Sequence, residues 1–451
     1  MIQQERVKTW NGLSLPEKGG GYAVYWMQRS QRAGWNHALE YCIERANELG
    51  VPPVVLFVLT EGYPEANLRH SRFMAEGLKE TGRRLEERGI PLVVRTGYPP
   101  DEVDRLCREA RICICDAAYT RVPRQWRAEA ARRGSIPLIE VESAAVVPVS
   151  EASPKEEYTA GTLRPKIHRQ LPVYLKPLER RSPARRADPG AFEGLSPAML
   201  PQEVERLNID TSIPPVEGLR GGSDKAETLL EQFIEEKLDR YEEESNDPAA
   251  GMVSGLSPYL HFGQISPLQI ALQVMESSSP GKEAFLEQLV VRRELALNFA
   301  YYNPSYDSLA ALPQWARTTL GVHSDDVRPV LYSPEQLEEG ETADPYWNAA
   351  QRELAVTGNM HNYMRMYWGK KILEWSPSPE EAFSRALRLN NRYGLDGRDP
   401  NSFAGIAWCF GKHDRAWSER PIFGKVRYMN DRGLRRKFPI DRYVERINAL
   451  G

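Results

Sequence analysis

The chain has 451 residues, more than one typical domain contains, and this length predicts two or three domains. Hydrophobic residues at 41% and charged residues at 27% are typical of a soluble globular protein, and the formal net charge is only −3. The N-terminal segment MIQQERVKTW has no apolar signal core, and no run of about 18 apolar residues occurs. A membrane span is therefore excluded, and we predict a cytoplasmic protein.

The first 150 residues alternate short apolar runs with amphipathic helices. This alternation predicts a doubly wound, Rossmann-like parallel sheet with right-handed crossovers, although no GxGxxG motif follows the first strand. The five cysteines are odd in number and lack CxxC spacing, so neither a disulfide framework nor a zinc site is predicted, and Cys113 and Cys115 are expected to be core thiols. The predicted strands are 21–27, 52–59, 90–97, 110–117 and 136–143, and the first two helices are 35–49 and 71–89.

Beyond residue 150 the chain changes character. Residues 151–224 contain many Pro, Gly and charged residues, which predicts an extended linker that wraps one domain onto another. From 225 to 451 apolar residues recur at spacings of three and four, so we predict an all-helical C-terminal domain without a strand after residue 230. The predicted helices are 225–244, 266–277, 283–300, 346–356, 359–375 and 378–393.

The last quarter of the chain holds five of the ten tryptophans, at positions 347, 368, 375, 408 and 417. Asn, Asp, Arg, Gln and His lie among them, where a plain helical core would have Leu and Val. Large rings beside polar groups suit a site that stacks and hydrogen-bonds a flat heterocycle, although any one of these rings also suits an aromatic core. Between Gly411 and Gly451 there are eleven Lys and Arg against five Asp and Glu, which suits a phosphate-binding patch or a solvated helical end.

Two short motifs and one spacing add to this picture. SGLSP at 254–258 places hydroxyls and a glycine at a predicted helix start, which suits a pyrophosphate or a helix cap without a ligand. LDGRD at 395–399 is a turn that brings Asp396 and Asp399 towards Arg398, as a simple ion-paired turn also would. Trp368 and Trp375 are seven residues apart on one helix face, about 10 Å along its axis, a separation that suits electron hopping or two core positions.

Several long segments resemble the class II cyclobutane pyrimidine dimer photolyases. They are SGLSPYLHFGQIS (254–266), TGNMHNYMRMYWGKKILEW (357–375), LDGRDPN (395–401) and HDRAWSERPIFGKVRYM (413–429), with YWMQRSQR (25–32) and EYTAGTLRPK (157–166) nearer the N-terminus. The resemblance covers essentially the whole chain. It implies an α/β domain at 1–150, a linker at 151–224 and a helical FAD-binding domain at 225–451.

The resemblance also implies the reaction and its partners. In this family light absorbed by reduced FAD splits pyrimidine dimers, and the dimer is flipped out of double-stranded DNA to reach the flavin. A monomer without an obligate protein partner is expected. By analogy with the family, the N-terminal domain could hold an antenna chromophore, either a deazaflavin or a folate. The sequence does not decide whether one is bound or which one.

The family motifs assign residues to FAD and to its photoreduction. Asp396 would pair with Arg365 along the flavin ring, and Asn390 would face flavin N5, where a neutral amide can donate or accept a hydrogen bond. Trp368 would lie next to the flavin, followed by Trp347 and by Trp375 as a further ring. The remaining cofactor residues implied by the motifs are Tyr241, Ser254, Gly255, Leu256, Ser257, Arg398 and Asp399.

The motifs assign the substrate side in the same way. Trp408 would stack on the flipped-out dimer, with Tyr363 and Met366 lining the pocket and Asp414 and Arg415 forming an unusual charged pair near it. Basic residues of the C-terminal segment would contact phosphates without recognising sequence. The other implied substrate residues are Asn246, Gln288, Arg292, Arg427, Arg435 and Arg436, with Lys425 and Lys437 as further phosphate contacts.

Two positions depart from the family pattern. Gln288 stands where a dimer-contacting glutamate is expected, unless a shift of one residue puts Glu287 there, and Arg292 replaces a tryptophan of another member. Gln can exchange hydrogen bonds with thymine but cannot act as a carboxylate, so the departure bears on the efficiency of repair more than on its nature.

Three other functions were weighed against dimer repair. A cryptochrome-like light sensor often carries a long C-terminal extension after the basic segment, and this chain has none. A flavin-independent helical DNA-binding protein would not need the flavin motifs. Repair of (6-4) lesions usually relies on pocket histidines, for which His413 is the nearest candidate.

Overall fold

The computed structural model describes residues 2–16 and 21–450, and the N-terminal part of these residues forms a six-stranded sheet. The strands are β1 (Val7–Thr9), β2 (Tyr22–Trp26), β3 (Pro53–Leu59), β4 (Leu92–Thr96), β5 (Ala110–Asp116) and β6 (Leu138–Val141). Their order is β1-β6-β5-β2-β3-β4, with all neighbours parallel except the edge pair β1 and β6. The predicted doubly wound sheet is confirmed, and the short antiparallel strand β1 is an addition that no periodicity indicated.

Both faces of this sheet are buried. Along β2, Ala23 and Tyr25 belong to one hydrophobic cluster and Val24 and Trp26 to the other, because successive side chains of a strand point to opposite faces. The predicted core thiols at positions 113 and 115 are buried in the adjacent strand β5, which confirms that prediction.

Helices make up most of the remaining chain, and the described residues after Val141 add no further strand to the sheet. A π-helical turn at Glu287–Arg292 joins two of them, and short 3-10 turns lie at Gln4–Arg6, Pro189–Ala191, Pro197–Met199, Val204–Arg206, Leu238–Arg240 and Leu309–Ala311. The α-helices are α1 (His37–Leu49), α2 (Leu68–Glu87), α3 (Pro99–Cys107), α4 (Arg121–Arg133), α5 (Val149–Ala152), α6 (Ala160–Tyr174), α7 (Leu200–Glu203), α8 (Ser223–Glu236), α9 (Tyr241–Glu244), α10 (Ser257–His261), α11 (Pro267–Glu276), α12 (Lys282–Leu286), α13 (Arg293–Tyr302), α14 (Gln314–Val322), α15 (Pro334–Glu339), α16 (Pro345–Thr357), α17 (Asn362–Trp375), α18 (Pro379–Tyr393), α19 (Pro400–Cys409), α20 (Asp431–Lys437) and α21 (Ile440–Asn448). None of these helices is long and apolar enough to cross a membrane.

The chain divides into two compact units, each assembled from three segments. Unit 1 comprises Met1–Pro154, Pro165–Gln232 and Gly255–Ser278, and unit 2 comprises Lys155–Arg164, Phe233–Ser254 and Ser279–Gly451. These bounds differ from the predicted 1–150, 151–224 and 225–451.

The predicted linker is not extended throughout, because α6 lies within it. Leu163 and Ile167 follow helical spacing, but Pro165 and Pro172 inside the same helix obscured the pattern in the sequence.

The helices that carry the predicted site begin and end at polar caps. Asp344 starts α16 by accepting backbone hydrogen bonds from Tyr346 and Trp347, at 3.0 and 3.1 Å. The helix ends at Gly358, whose φ of 69° favours glycine. His361 then starts α17, since its Nδ1 accepts from the Tyr363 N–H at 3.2 Å. These caps set where the aromatic residues of α16 and α17 face each other.

Candidate active site

Three tryptophan rings form a continuous array on α16 and α17. The ring of Trp347 is stacked on that of Trp368, with centroids 6.3 Å apart and planes 6° apart. It also meets the ring of Trp375 edge-on, at 5.6 Å and 68°. Trp347 therefore bridges the two tryptophans of α17, whose direct spacing along one helix was the feature visible in the sequence.

Hydrogen bonds hold the inner rings of this array in place. The indole N–H of Trp347 donates to the backbone oxygen of Trp368 at 3.0 Å, and that of Trp368 donates to Oε1 of Gln351, also at 3.0 Å. Gln351 is itself held, because its amide nitrogen donates to the backbone oxygen of Glu338 at 3.0 Å. Sequence reasoning missed Gln351, whose signal is a polar residue on the buried face of α16.

The array continues outward to a part-exposed tyrosine. The ring of Tyr332 lies 5.1 Å from that of Trp375 at an angle of 79°. Lys371 Nζ lies 5.3 Å from the centroid of Trp375 and 2.7 Å from a carboxylate oxygen of Glu374. Tyr332 lies just before α15, outside any periodic pattern, so no motif or spacing points to it.

A buried amide lies on α18, which packs against α17. Asn390 is 1% exposed, and its Nδ2 donates to Ser402 Oγ and to Asn391 Oδ1. Its Oδ1 accepts no hydrogen bond from the described residues, so one acceptor is left for a ligand. The LDGRD turn packs on the backbone of Asn390. A Cβ added to Gly397 would lie 3.0 Å from the backbone carbonyl oxygen of Asn390.

The predicted contact between Asp396 and Arg365 is present. Nη2 of Arg365 lies 3.4 and 3.5 Å from the two carboxylate oxygens of Asp396. Arg398 has a left-handed φ of 66°, and its backbone N–H donates to Asn391 Oδ1 at 2.9 Å. Asp399 caps α19, because its Oδ1 accepts from the Asn401 N–H at 2.9 Å.

The SGLSP segment crosses the division between the two units. Ser254 belongs to unit 2, whereas Gly255, Leu256 and Ser257 belong to unit 1, where Ser257 begins α10 as predicted. Gly255 has a φ of 70°, which favours glycine. Tyr241 lies in unit 2, where its ring packs on two phenylalanines and burial raises its pKa to about 12.

The π-helical turn between α12 and α13 builds an ion-paired cluster beside Trp408. Arg164 donates two hydrogen bonds to the carboxylate of Glu287, at 2.9 and 2.6 Å. Arg292 donates a third at 3.2 Å, and its guanidinium carbon lies 5.8 Å from the centroid of the Trp408 ring. Gln288 is exposed and takes no part in this cluster.

The charge of Glu287 is fixed by its neighbours. Burial raises the pKa of Glu287, but the guanidinium groups of Arg164 and Arg292 outweigh this effect, and the pKa lies below its ordinary value. Glu287 is therefore an ionised partner of two arginines.

The role of Asp414 and Arg415 as a charged pair near the dimer stays a prediction. Asp414 Oδ1 accepts from the backbone N–H of Arg415 at 2.8 Å, but the two side chains form no ion pair within the described residues. Instead, the guanidinium carbons of Arg415 and Arg427 lie 4.9 and 5.1 Å from the ring centroid of Trp417. Stacking on this ring, which is 39% exposed, draws Arg415 away from its neighbour.

The other predicted substrate residues are half-buried or exposed. The ring of Tyr363 packs edge-on against Phe438 at 4.7 Å, with Lys437 Nζ 4.4 Å from its centroid. Arg435 uses one of its donors within the protein, since its Nε donates to the Tyr346 hydroxyl at 2.9 Å. Met366 and Arg427 are half-buried, and the exposed members are Asn246, Lys425, Arg435, Arg436 and Lys437.

His413 lies at a turn with a φ of 58°. Its Nδ1 lies 2.7 Å from the backbone oxygen of Tyr158, so this nitrogen donates. Burial lowers the pKa of His413 to about 4, and the ring is neutral near neutral pH.

Comparisons with known proteins match this architecture. A family model described as DNA photolyase matches residues 23–184. The chain is 50% identical to the deoxyribodipyrimidine photo-lyase of Methanothermobacter thermautotrophicus, over 100% of this chain and 99% of that protein. It is 40% identical to the deoxyribodipyrimidine photo-lyase of Arabidopsis thaliana, over 95% of this chain and 89% of that protein.

Solved structures share the fold at low sequence identity. A bacterial class III photolyase from Agrobacterium tumefaciens is 18% identical with a TM-score of 0.72, over 97% of this chain and 88% of that chain. An archaeal photolyase from Sulfolobus tokodaii, solved with two FAD molecules, is 16% identical with a TM-score of 0.70, over 94% and 89% of the two chains.

The sheet of unit 1 and the helices of unit 2 thus define a photolyase fold. The chain belongs to the deoxyribodipyrimidine photo-lyase family, whose members are light-driven, FAD-dependent DNA-repair lyases. The donor set of unit 2 fits the flavin part of FAD. A buried amide with an unused acceptor suits a flavin N–H, and a loosely bound guanidinium–carboxylate pair suits a polar ring edge.

Proposed function

We propose that this chain repairs cyclobutane pyrimidine dimers in DNA by light, and that unit 2 carries the chemistry. The observation that carries the proposal is the three-ring array of Trp347, Trp368 and Trp375 on helices that pack against the buried Asn390. A buried indole N–H needs a hydrogen-bond partner in any core, but a plain core needs neither a continuous array of three indoles nor an amide oxygen without a partner. A light-driven one-electron enzyme has a use for both.

FAD supplies the light-driven electron when bound in its reduced form. Asn390 offers its amide oxygen to a flavin N–H, and Ser402 keeps that amide from rotating. Arg365 and Asp396 hold the polar edge of the ring system. The predicted roles of Tyr241, Arg398, Asp399 and the segment 254–257 in holding the rest of FAD belong to the same proposal.

With FAD bound, the array would conduct electrons from outside the protein to the oxidised cofactor. Trp368 is its inner member, Trp347 passes the electron between the two helices, and Trp375 is its outer member, next to Tyr332. Ring contacts near 6 Å between centroids keep each step short. Dimer repair itself returns the electron and draws none through the array.

On the substrate side, Trp408 offers the face on which the flipped-out dimer stacks. Arg292 adds a positive charge beside that ring, and Gln288 is accessible to exchange hydrogen bonds with thymine. Lys425, Arg427, Arg436 and Lys437 contact phosphates. The class II subdivision, the cytoplasmic location and the monomeric state stay predictions from the sequence.

Lesion specificity tests this proposal. Duplexes with one cyclobutane dimer or one (6-4) lesion are illuminated with chemically reduced protein, and the lesions are counted before and after. We expect the cyclobutane dimer alone to be reversed, because His413, the nearest histidine candidate for (6-4) repair, is neutral near neutral pH. Reversal of the (6-4) lesion alone, or of neither lesion by protein that carries FAD and binds both duplexes, would refute it.

A further inference from the structure

Three contacts tie the loop Asp414–Tyr428 to the C-terminal end of α14. The backbone N–H of Lys425 donates to Thr319 Oγ1 at 2.9 Å, and that of Ile422 donates to Asp326 Oδ2 at 2.7 Å. The third contact runs through His323, whose Nε2 lies 3.1 Å from Glu419 Oε1. This loop carries the exposed Trp417 and the basic residues expected on DNA. His323, Asp326 and Glu419, whose side chains tether it, have no part in the function described above.

His323 is placed between two carboxylates. Its Nδ1 lies 2.6 Å from Asp326 Oδ2, while its Nε2 faces Glu419. An ionised carboxylate only accepts hydrogen bonds, so both ring nitrogens donate at once only in the protonated imidazolium. Hydrogen bonds to Asp326 and then to Glu419 raise the pKa of His323. The other charged groups of its segment are Asp325, which is exposed, and Arg328, which bonds to the backbone oxygens of His323 and Asp326.

The close approach of the loop to α14 is built into the sequence. Gly424 has a left-handed φ of 52°, and a Cβ added there would lie 2.0 Å from Thr319 Oγ1 and 2.9 Å from His323 Cδ2. Only glycine fits this conformation and this gap. The chain thus brings the loop against the histidine at one fixed place.

We propose that His323 is a positioning residue which, when protonated, holds the loop Asp414–Tyr428 against α14 in the form that binds DNA. The proposal rests on the proposed function, because that function places Lys425 and Arg427 on phosphates. A neutral imidazole donates to one carboxylate only, so loss of the proton leaves Glu419 or Asp326 facing a ring nitrogen that cannot donate. Since the folded pKa is raised, the contact is complete below the ordinary histidine pKa of about 6.5 and is lost as pH rises through the folded value.

Hydrogen exchange of the full chain without DNA tests the tether by itself. Exchange of the peptide amides in 417–428, corrected for intrinsic rate, is measured across a pH series for the natural chain, His323→Gln and Asp325→Asn. The natural chain should lose protection at these amides as pH rises. His323→Gln should be less protected than the natural chain at low pH and should show no such loss as pH rises. Asp325→Asn, which removes a neighbouring exposed charge, should follow the natural chain. Equal protection in His323→Gln and the natural chain at low pH would overturn the proposal.

Binding of duplex DNA then tests the consequence. The affinity of His323→Gln for DNA, measured from low to high pH, gives the background change. Over the same range the natural chain and Asp325→Asn should lose a further factor of about two to five in affinity. Glu419→Gln should reduce this difference, because it removes one of the two negative charges that favour the protonated ring. If exchange follows the expected pattern but affinity does not, the positioning role is wrong. If no variant binds DNA at any pH, the proposed function fails, whereas the exchange data still decide on the tether.

Discussion

Trp347 joins two helices by packing, and in the proposed function it also passes electrons between them. Its ring is fully buried between the tryptophans of α17, and its N–H is used within the array. Replacement by phenylalanine keeps an aromatic ring there but removes the indole, which is easier to oxidise. A substitution at position 347 can therefore test electron supply to the flavin separately from dimer repair.

We predict that Trp347→Phe abolishes or greatly slows photoreduction of oxidised FAD but leaves repair by chemically reduced protein within a factor of about two. The reason is that repair returns its electron and needs none from outside. Flavin absorbance under illumination measures the first quantity, and dimer loss per flash measures the second. Trp315→Phe in α14 is the control, since Trp315 lies outside the array and donates to Tyr158. Normal photoreduction in Trp347→Phe would show that the array is only a core.

In the proposed function, lesion recognition depends on stacking of the dimer on Trp408. Trp408→Ala should weaken binding of dimer-containing duplex by about 1–3 kcal/mol, the usual value of stacking one base on an aromatic ring, and leave plain duplex unchanged. Titration of both duplexes under equal salt measures the difference. Equal weakening on the two duplexes would place the ring outside the lesion pocket.

The N-terminus of α17 depends on one neutral histidine. His361 accepts from the Tyr363 N–H through Nδ1 and donates through Nε2 to the backbone oxygen of Ser245 at 3.0 Å, a pattern that only the neutral ring satisfies. Burial lowers its pKa to about 4. Protonation of His361 in acid therefore removes the cap of α17, the helix that carries Arg365 and two tryptophans of the array.

We predict that this histidine makes the fold sensitive to mild acid. Its folded pKa lies below the unfolded value of about 6.5, so its contribution is complete above that value and decreases as pH falls towards 4, by roughly 2–3 kcal/mol. His361→Asn keeps a cap acceptor and should remove this part of the pH dependence of unfolding by urea. His168→Asn, at an exposed histidine of α6, should keep it. An unchanged slope between about pH 7 and pH 5 in His361→Asn would contradict the prediction.

On the scale of the whole molecule, the sequence predicted the sheet and the helices well because their periodicities are long and regular. The strands from 21–27 to 136–143 and the helices of 346–393 lie within a few residues of their predicted bounds. β1 was missed because three residues carry no period, and α6 because prolines interrupt it. The π-helical turn was missed since no residue pattern distinguishes it from an α-helix.

The candidate site was predicted in its residues but not in its contacts. Motifs pointed to Asn390 and to Arg365 with Asp396, and the structure places the last two together. Motifs carry no information on side chains that meet from distant segments, such as Arg164 with Glu287. They also name Asp414 and Arg415 as a charged pair, but they do not indicate that the guanidinium of Arg415 lies over the ring of Trp417.

The most direct test of light-driven dimer repair compares four conditions on one dimer-containing duplex: reduced or oxidised flavin, each in light or in darkness. With external donors absent and DNA bound in all four, we expect dimers to disappear only with reduced flavin in light. The reason is that only the excited, reduced cofactor supplies the electron, whereas the residues of unit 2 bind and orient the cofactor and the dimer. Loss of dimers in darkness, or their persistence with reduced flavin in light, would contradict this mechanism.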